Sequence, residues 1–131
     1  MGGVSDGGRR ARVLVVDDAP TNRELVLALL DSLGLEAAEA ANGREAVEAA
    51  RRTPFDLVLM DLQMPVMDGL AAAREIRAGD GLSRAAPILA VSAHTAPEDV
   101  AACRAAGMND HVPKPISAGE LLGKVRRWMA N

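Results

Sequence analysis

Leu57-Val58-Leu59-Met60-Asp61 is a run of four apolar residues closed by an acid, and Leu62-Gln63-Met64-Pro65-Val66-Met67-Asp68-Gly69 follows it directly. An apolar run this short, with no polar alternation, fits a strand covered on both faces, as in a parallel sheet. Pro65 and Gly69 break any helix across the second stretch, so it reads as a loop. Asp68 is placed to cap a helix that starts at Gly69 and carries Leu70, Ala73, Ile76 and Arg77 before Gly79 releases it. The unit is strand, loop, helix, with a carboxylate at the strand's end.

The same grammar extends in both directions. Toward the N-terminus, Arg12-Val13-Leu14-Val15-Val16 is a β-rich run that ends at Asp17-Asp18, and Pro20 suits the first turn of a helix. Leu25, Leu29, Leu30 and Leu33 predict the buried stripe of that helix, with Gly34 as its C-terminal cap. Glu36 to Ala40 is a weak second strand. Asn42 then caps a helix carrying Ala46, Val47 and Ala50, which stops before Pro54. Toward the C-terminus, Ile88-Leu89-Ala90-Val91 is a fourth strand ending at Ser92, followed by a helix from about Pro97 to Ala106 that Gly107 closes. A short fifth strand around His111-Val112 runs into Lys114-Pro115, and a last helix aligns Leu121, Val125, Trp128 and Met129, with Trp128 as its anchor. Five strand-helix units in strict alternation predict an α/β fold. A doubly wound parallel sheet with helices on both faces is the leading arrangement once right-handed crossovers are required. Charges on the second and third helices read as solvated faces, and Met60, Met64 and Met67 as core and loop packing.

Residues 11–131 make one ordinary domain, and the Gly-rich, polar residues 1–10 read as a flexible tail. A net charge of −3 lacks the basic excess of a nucleic-acid surface, and one Phe with one Trp cannot build a base-stacking platform. No run approaches the ~20 apolar residues of a membrane span. The start has no signal-peptide character, and Asp6 stands where a myristoylation signal needs Ser or Thr. Cys103, in an alanine-rich helical stretch, reads as a small buried filler and fits a reduced, cytoplasmic setting.

Ligands of open α/β sheets bind beyond the carboxyl ends of the strands. Those ends deliver Asp17 and Asp18, Asp61, Ser92 and Lys114 to one edge. Helix capping alone could account for the Asp17-Asp18 pair, but it does not account for all five. Three neighbouring carboxylates need a cation among them, and oxygen donors without His or Cys select a hard ion such as Mg²⁺, or Mn²⁺. A divalent ion, a lysine and a hydroxyl together neutralise a phosphoryl group, which one carboxylate could accept as an acyl phosphate.

With these elements in order, the chain resembles the receiver domains of two-component signal transduction. The resemblance is carried by Leu14-Val15-Val16-Asp17-Asp18, by Leu59 through Gly69, by Ile88-Leu89-Ala90-Val91-Ser92-Ala93-His94, and by Val112-Pro113-Lys114-Pro115, and it covers residues 11 to about 129. It implies a flavodoxin-like sheet of order 2-1-3-4-5 with five helices, and Asp61 as the phosphoacceptor. Asp17, Asp18, Asp61 and the backbone carbonyl of Gln63 would hold the metal. Ser92 would bond the phosphoryl oxygen after transfer, Lys114 would match the family's lysine, and the Lys114-Pro115 bond would be cis.

One position departs from the family pattern. His111 stands where the coupled switch residue is usually Tyr or Phe, and it is open between a modified switch and an ordinary strand residue. Gln63 and His94 follow Asp61 and Ser92 by two residues and would tune dephosphorylation by flanking the path of water. The implied partner is a histidine kinase or histidine phosphotransfer protein, acting on a signalling module that turns over no external substrate. The downstream target is a protein that the sequence does not specify. A phosphohydrolase with the same aspartyl chemistry typically has a second acid where this chain has Gln63. A phosphorylation-independent binding domain would not need all five site residues. The chain stops soon after its last helix, which suggests either a stand-alone regulator, favoured by the starting Met, or a receiver taken from a hybrid kinase, favoured by the wording around Asp61.

Overall fold

Side chains of a strand alternate between faces, and here each face meets its own set of helices. In the computed structural model, which describes residues 11–64 and 66–129, the elements are β1 (Arg12–Val16), α1 (Pro20–Asp31), β2 (Glu36–Ala40), α2 (Gly43–Arg52) and β3 (Leu57–Asp61). They continue with α3 (Gly69–Ala78), β4 (Ile88–Ser92), α4 (Pro97–Ala105), β5 (Asp110–Pro113) and α5 (Ala118–Met129). Residues 1–10, expected as a tail, lie outside the described residues. All strand pairs are parallel, in the order β2-β1-β3-β4-β5. This is the doubly wound arrangement that the sequence predicts.

Leu14, Val16, Val58, Met60, Ile88 and Ala90 face α2, α3 and α4. Val13, Val15, Leu57, Leu59, Leu89, Val91 and Val112 face α1 and α5. Every residue of β3 and β4 is buried, which is why both read as unbroken apolar runs. Each large side chain so buried contributes roughly 1.5–3 kcal/mol. The helix starts follow local chemistry. Asn42 Oδ1 accepts the Glu45 N–H at 2.9 Å, and Asp68 Oδ1 accepts the Ala71 N–H at 2.8 Å. Gly34 ends α1 at φ 75°, a left-handed conformation that glycine adopts without penalty.

Two sequence expectations are corrected. The expected α1 stripe holds at Leu30, with Leu29 and Leu33 packed partly against the core, but Leu25 is 48% exposed and Val26 is buried in its stead. Val26 and Leu30 share a helix face with Arg23, whose guanidinium is tied to the ends of β1 and β2. On α3, Arg77 is not a solvated charge. Its guanidinium donates to the Gly107 carbonyl (2.9 Å), the Arg84 carbonyl (2.6 Å) and Asn109 Oδ1 (2.9 Å). Burial pushes its pKa below the usual arginine range.

Trp128 does anchor α5, and it does so through a polar contact as well as packing. Its indole N–H donates to Asp110 Oδ2 at 3.0 Å, while Lys124 Nζ meets Asp110 Oδ1 at 2.9 Å. Burial alone would raise the Asp110 pKa. The Lys124 ammonium, the Trp128 N–H and the His111 backbone N–H outweigh that and hold it at about 2, below its ordinary 3.8. A depressed carboxylate pKa adds stability above the ordinary value and forfeits it as pH falls through the folded value. Thermal melts should therefore show an Asp110-dependent loss between about pH 4 and pH 2, and Asp110→Asn should flatten that part of the profile. An unchanged acid limb in Asp110→Asn would contradict the assignment.

Candidate functional site

The chain leaves β1 toward β2 on one side and leaves β3 toward β4 on the other, so the sheet order reverses between β1 and β3. Crevices form at such reversals, because successive loops part there. Val16 lies opposite Met60 in the register, so the next residues, Asp17 and Asp61, emerge side by side. Asp17, Asp18 and Asp61 each bring a carboxylate oxygen to within 4.8 Å of the others. Asp17 and Asp61 are buried, whereas Asp18 is exposed at the rim.

The surrounding chain fixes these acids. Asp17 donates its N–H to Ala40 O on β2 (3.1 Å) and accepts the Ala19 N–H on its own carboxylate (2.9 Å). Its carbonyl accepts from Arg23 Nη1 at 2.7 Å. Asp61 is braced from behind by α3, because a Cβ at Gly69 would collide with the Asp61 carbonyl and only glycine admits that approach. Lys114 Nζ lies 3.1 Å from Asp61 Oδ1, and the Gln63 N–H reaches the same oxygen at 3.3 Å. The Lys114-Pro115 peptide bond is cis.

Electrostatics set the proton affinity of Asp61. Burial raises its pKa most; the Lys114 hydrogen bond and charge and the Gln63 N–H oppose this, and the Asp17 charge adds to the rise. The net direction is upward. Three carboxylates against one ammonium leave the mouth net negative, and every donor on the carboxylates is oxygen. The residues present therefore fit a hard divalent cation.

The remaining expected residues surround this cluster. Ser92 ends β4, is buried, and accepts the His94 N–H on its hydroxyl at 2.9 Å. The Gln63 amide nitrogen and the His94 ring nitrogen lie 2.8 Å apart, which joins the loops after β3 and β4. His111 stands outside the carboxylate cluster. It lines a cleft between α4 and β5 together with Ser92, His94, Cys103 and Met108. Its carbonyl accepts from Lys124 Nζ at 2.7 Å. Cys103 is buried, and burial with the Asp99 charge pushes its thiol up, as suits a filler. Sequence periodicity did not single out Arg23, because an arginine one turn into a helix has no local signature of its tertiary partners.

A family model for the response regulator receiver domain matches residues 13–126. The chain belongs to this family. Among curated receiver-containing relatives, the sensor protein GacS of Pseudomonas syringae pv. syringae is 42% identical over 122 residues, covering 92% of this chain and 14% of the relative. The signal transduction histidine-protein kinase BarA of Escherichia coli K12 is 38% identical over 116 residues, covering 88% of this chain and 12% of the relative. The chain thus spans about one-seventh or less of the length of these relatives. Among solved receiver domains, that of a sensor histidine kinase from Pseudomonas aeruginosa PAO1, with magnesium in its active-site cleft, shares 39% identity at TM-score 0.84. The match covers 93% of this chain and 99% of that one. The receiver domain of a Saccharomyces cerevisiae response regulator, co-crystallised with a histidine phosphotransfer protein, shares 28% identity at TM-score 0.83, covering 91% and 88% of the two chains. Receiver domains are signalling modules, and among the described residues of this one no helix is long and apolar enough to cross a membrane.

Proposed function

We propose that this receiver domain accepts a phosphoryl group on Asp61 from a phosphohistidine of a histidine kinase or phosphotransfer protein, with Mg²⁺ (or Mn²⁺) held by Asp17, Asp18, Asp61 and the Gln63 carbonyl. The observation that carries this is the almost fully buried Asp61 carboxylate, bonded to Lys114 at the centre of a three-carboxylate mouth. Bound there, the cation supplies positive charge against the phosphoryl oxygens. Lys114 favours ionised Asp61 and lies beside the oxygen where the transferred charge arrives. An Asp61 oxygen attacks phosphorus in line. As that O–P bond forms, the N–P bond breaks, and its electron pair returns to the donor imidazole. No general base is required, because a carboxylate carries no proton to remove.

After transfer, Ser92 donates its hydroxyl hydrogen to a phosphoryl oxygen. Its own oxygen already accepts the His94 N–H, so movement of Ser92 draws the loop after β4 with it. His111 lines the same cleft as Ser92 and His94, which supports reading it as a modified switch residue. Gln63 and His94, in contact across the two loops, would flank the path of water to the acyl phosphate and so tune its lifetime. The domain modifies only itself, works on the cytoplasmic side with its kinase, and signals through protein contacts.

Incubation of the full chain with acetyl phosphate and Mg²⁺ should add the mass of one phosphoryl group to the intact protein, and EDTA should prevent it. No adduct, even with a phosphohistidine donor, would sink the proposal. Lys114→Ala should still bind Mg²⁺ in calorimetric titration yet gain the adduct about a hundredfold more slowly. Wild-type kinetics in that variant would contradict the role given to Lys114.

A further inference from the structure

One largely buried cation touches the backbone that aims the acids, and neither its residue type nor its position predicts this. Arg23 Nη1 donates to the Asp17 carbonyl at 2.7 Å, and its Nε donates to Glu39 Oε1 on β2 at 2.9 Å. The Arg23 side chain is 17% exposed and that of Glu39 is 50% exposed. With the Ala40 carbonyl on the Asp17 N–H and the Ala19 N–H on its carboxylate, Arg23 completes a set of contacts that holds the Asp17 backbone on both its N–H and its carbonyl. Outer contacts of this kind orient metal ligands. A guanidinium so close to a cation site would by itself repel the cation. Glu39, bonded to the same group, offsets that charge.

We propose, resting on the assignment of Asp17, Asp18 and Asp61 to Mg²⁺, that Arg23 and Glu39 form a positioning couple for the divalent cation. In this couple Arg23 fixes the turn that aims the carboxylates, and Glu39 neutralises the charge that Arg23 brings. The two halves make opposite demands on simple electrostatics. Deleting Arg23 removes a nearby positive charge, which alone would tighten cation binding, whereas loss of positioning weakens it.

The test is calorimetric titration of the full chain with Mg²⁺, in wild type, Arg23→Ala, Arg23→Lys and Glu39→Gln, beside thermal melts of each in EDTA. Arg23→Ala should weaken Mg²⁺ about tenfold. Arg23→Lys should restore little of this, since a point-charge ammonium cannot bridge carbonyl and carboxylate as a fork does. Glu39→Gln, on an exposed strand residue that tolerates substitution, should weaken Mg²⁺ about threefold at low ionic strength, with the deficit shrinking as salt is added. Tighter binding in Arg23→Ala, full rescue in Arg23→Lys, or wild-type affinity in Glu39→Gln would each overturn the couple. So would variants that melt lower in EDTA while binding Mg²⁺ normally, which would mark a purely structural contact. Absence of Mg²⁺ binding in wild type would instead overturn the underlying site assignment, and the couple with it.

Discussion

Asp61→Asn is expected to lose phosphoryl acceptance altogether, with no adduct in intact-mass spectra under conditions where wild type is modified. An amide in place of the carboxylate keeps the volume and the Lys114 contact but has no anionic oxygen to attack phosphorus. The same substitution should stabilise the protein when no cation is bound. Asp61 has a 3% exposed side chain, and burial, with the Asp17 charge, raises its pKa despite Lys114 and the Gln63 N–H. A carboxylate whose folded pKa is raised opposes folding at neutral pH, and that penalty fades as pH falls through the folded value. In EDTA at neutral pH, Asp61→Asn should therefore melt higher by about 4 °C, a gain on the order of 1 kcal/mol for a domain of this size. The gain should shrink toward acid pH. A phosphoryl adduct on Asp61→Asn would remove Asp61 from its assigned role, and a lower melting point in EDTA would contradict the electrostatic account.

The second large effect falls at the opposite end of the sheet. Arg77→Ala should destabilise the fold by about 2 kcal/mol in urea titrations, because three charge-assisted hydrogen bonds disappear and two half-buried acceptors, on Gly107 and Asn109, lose a partner. The three acceptors sit on the loop after α3, on the turn after α4 and on Asn109, whose Oδ1 also takes the Ile88 N–H at 2.8 Å. One guanidinium thus joins α3 to the starts of β4 and β5. Arg77→Lys should recover less than half, since an ammonium cannot meet three acceptors in fixed directions. Mg²⁺ affinity and the rate of adduct formation should stay near wild type, because the site lies at the carboxyl ends of the strands. A loss below about 1 kcal/mol would show that the clamp is redundant with the neighbouring packing.

The two variants separate what chemistry requires from what the fold requires, and their legibility in the sequence differs for that reason. Asp61 was visible because strand, acid, breaker-rich loop and capped helix are contiguous, and because the rule for strand ends gathers distant acids without coordinates. The same local signals gave the alternation of strands and helices, the Asn42 and Asp68 caps, and a Gly69 start to α3, while the strand order came from the family resemblance. Arg77 read as one more solvated charge, because helical periodicity records which face turns inward and not what a long side chain reaches. Leu25 was placed in the buried stripe of α1 for a similar reason. Leucine content suggested the stripe, but the helix buries Val26 beside Leu30 and leaves Leu25 on the exposed side.

By itself, the chain's sequence determined the five alternating units, the sheet that they form and the convergence of Asp17, Asp18 and Asp61. Each of these follows from short-range patterning and chain connectivity. The tertiary structure alone decided the burial of Asp61, its 3.1 Å contact with Lys114, and the cross-element grips of Arg23, Arg77 and Asp110. Those depend on distances between elements remote in sequence, and local patterning cannot encode where a guanidinium or an ammonium comes to rest.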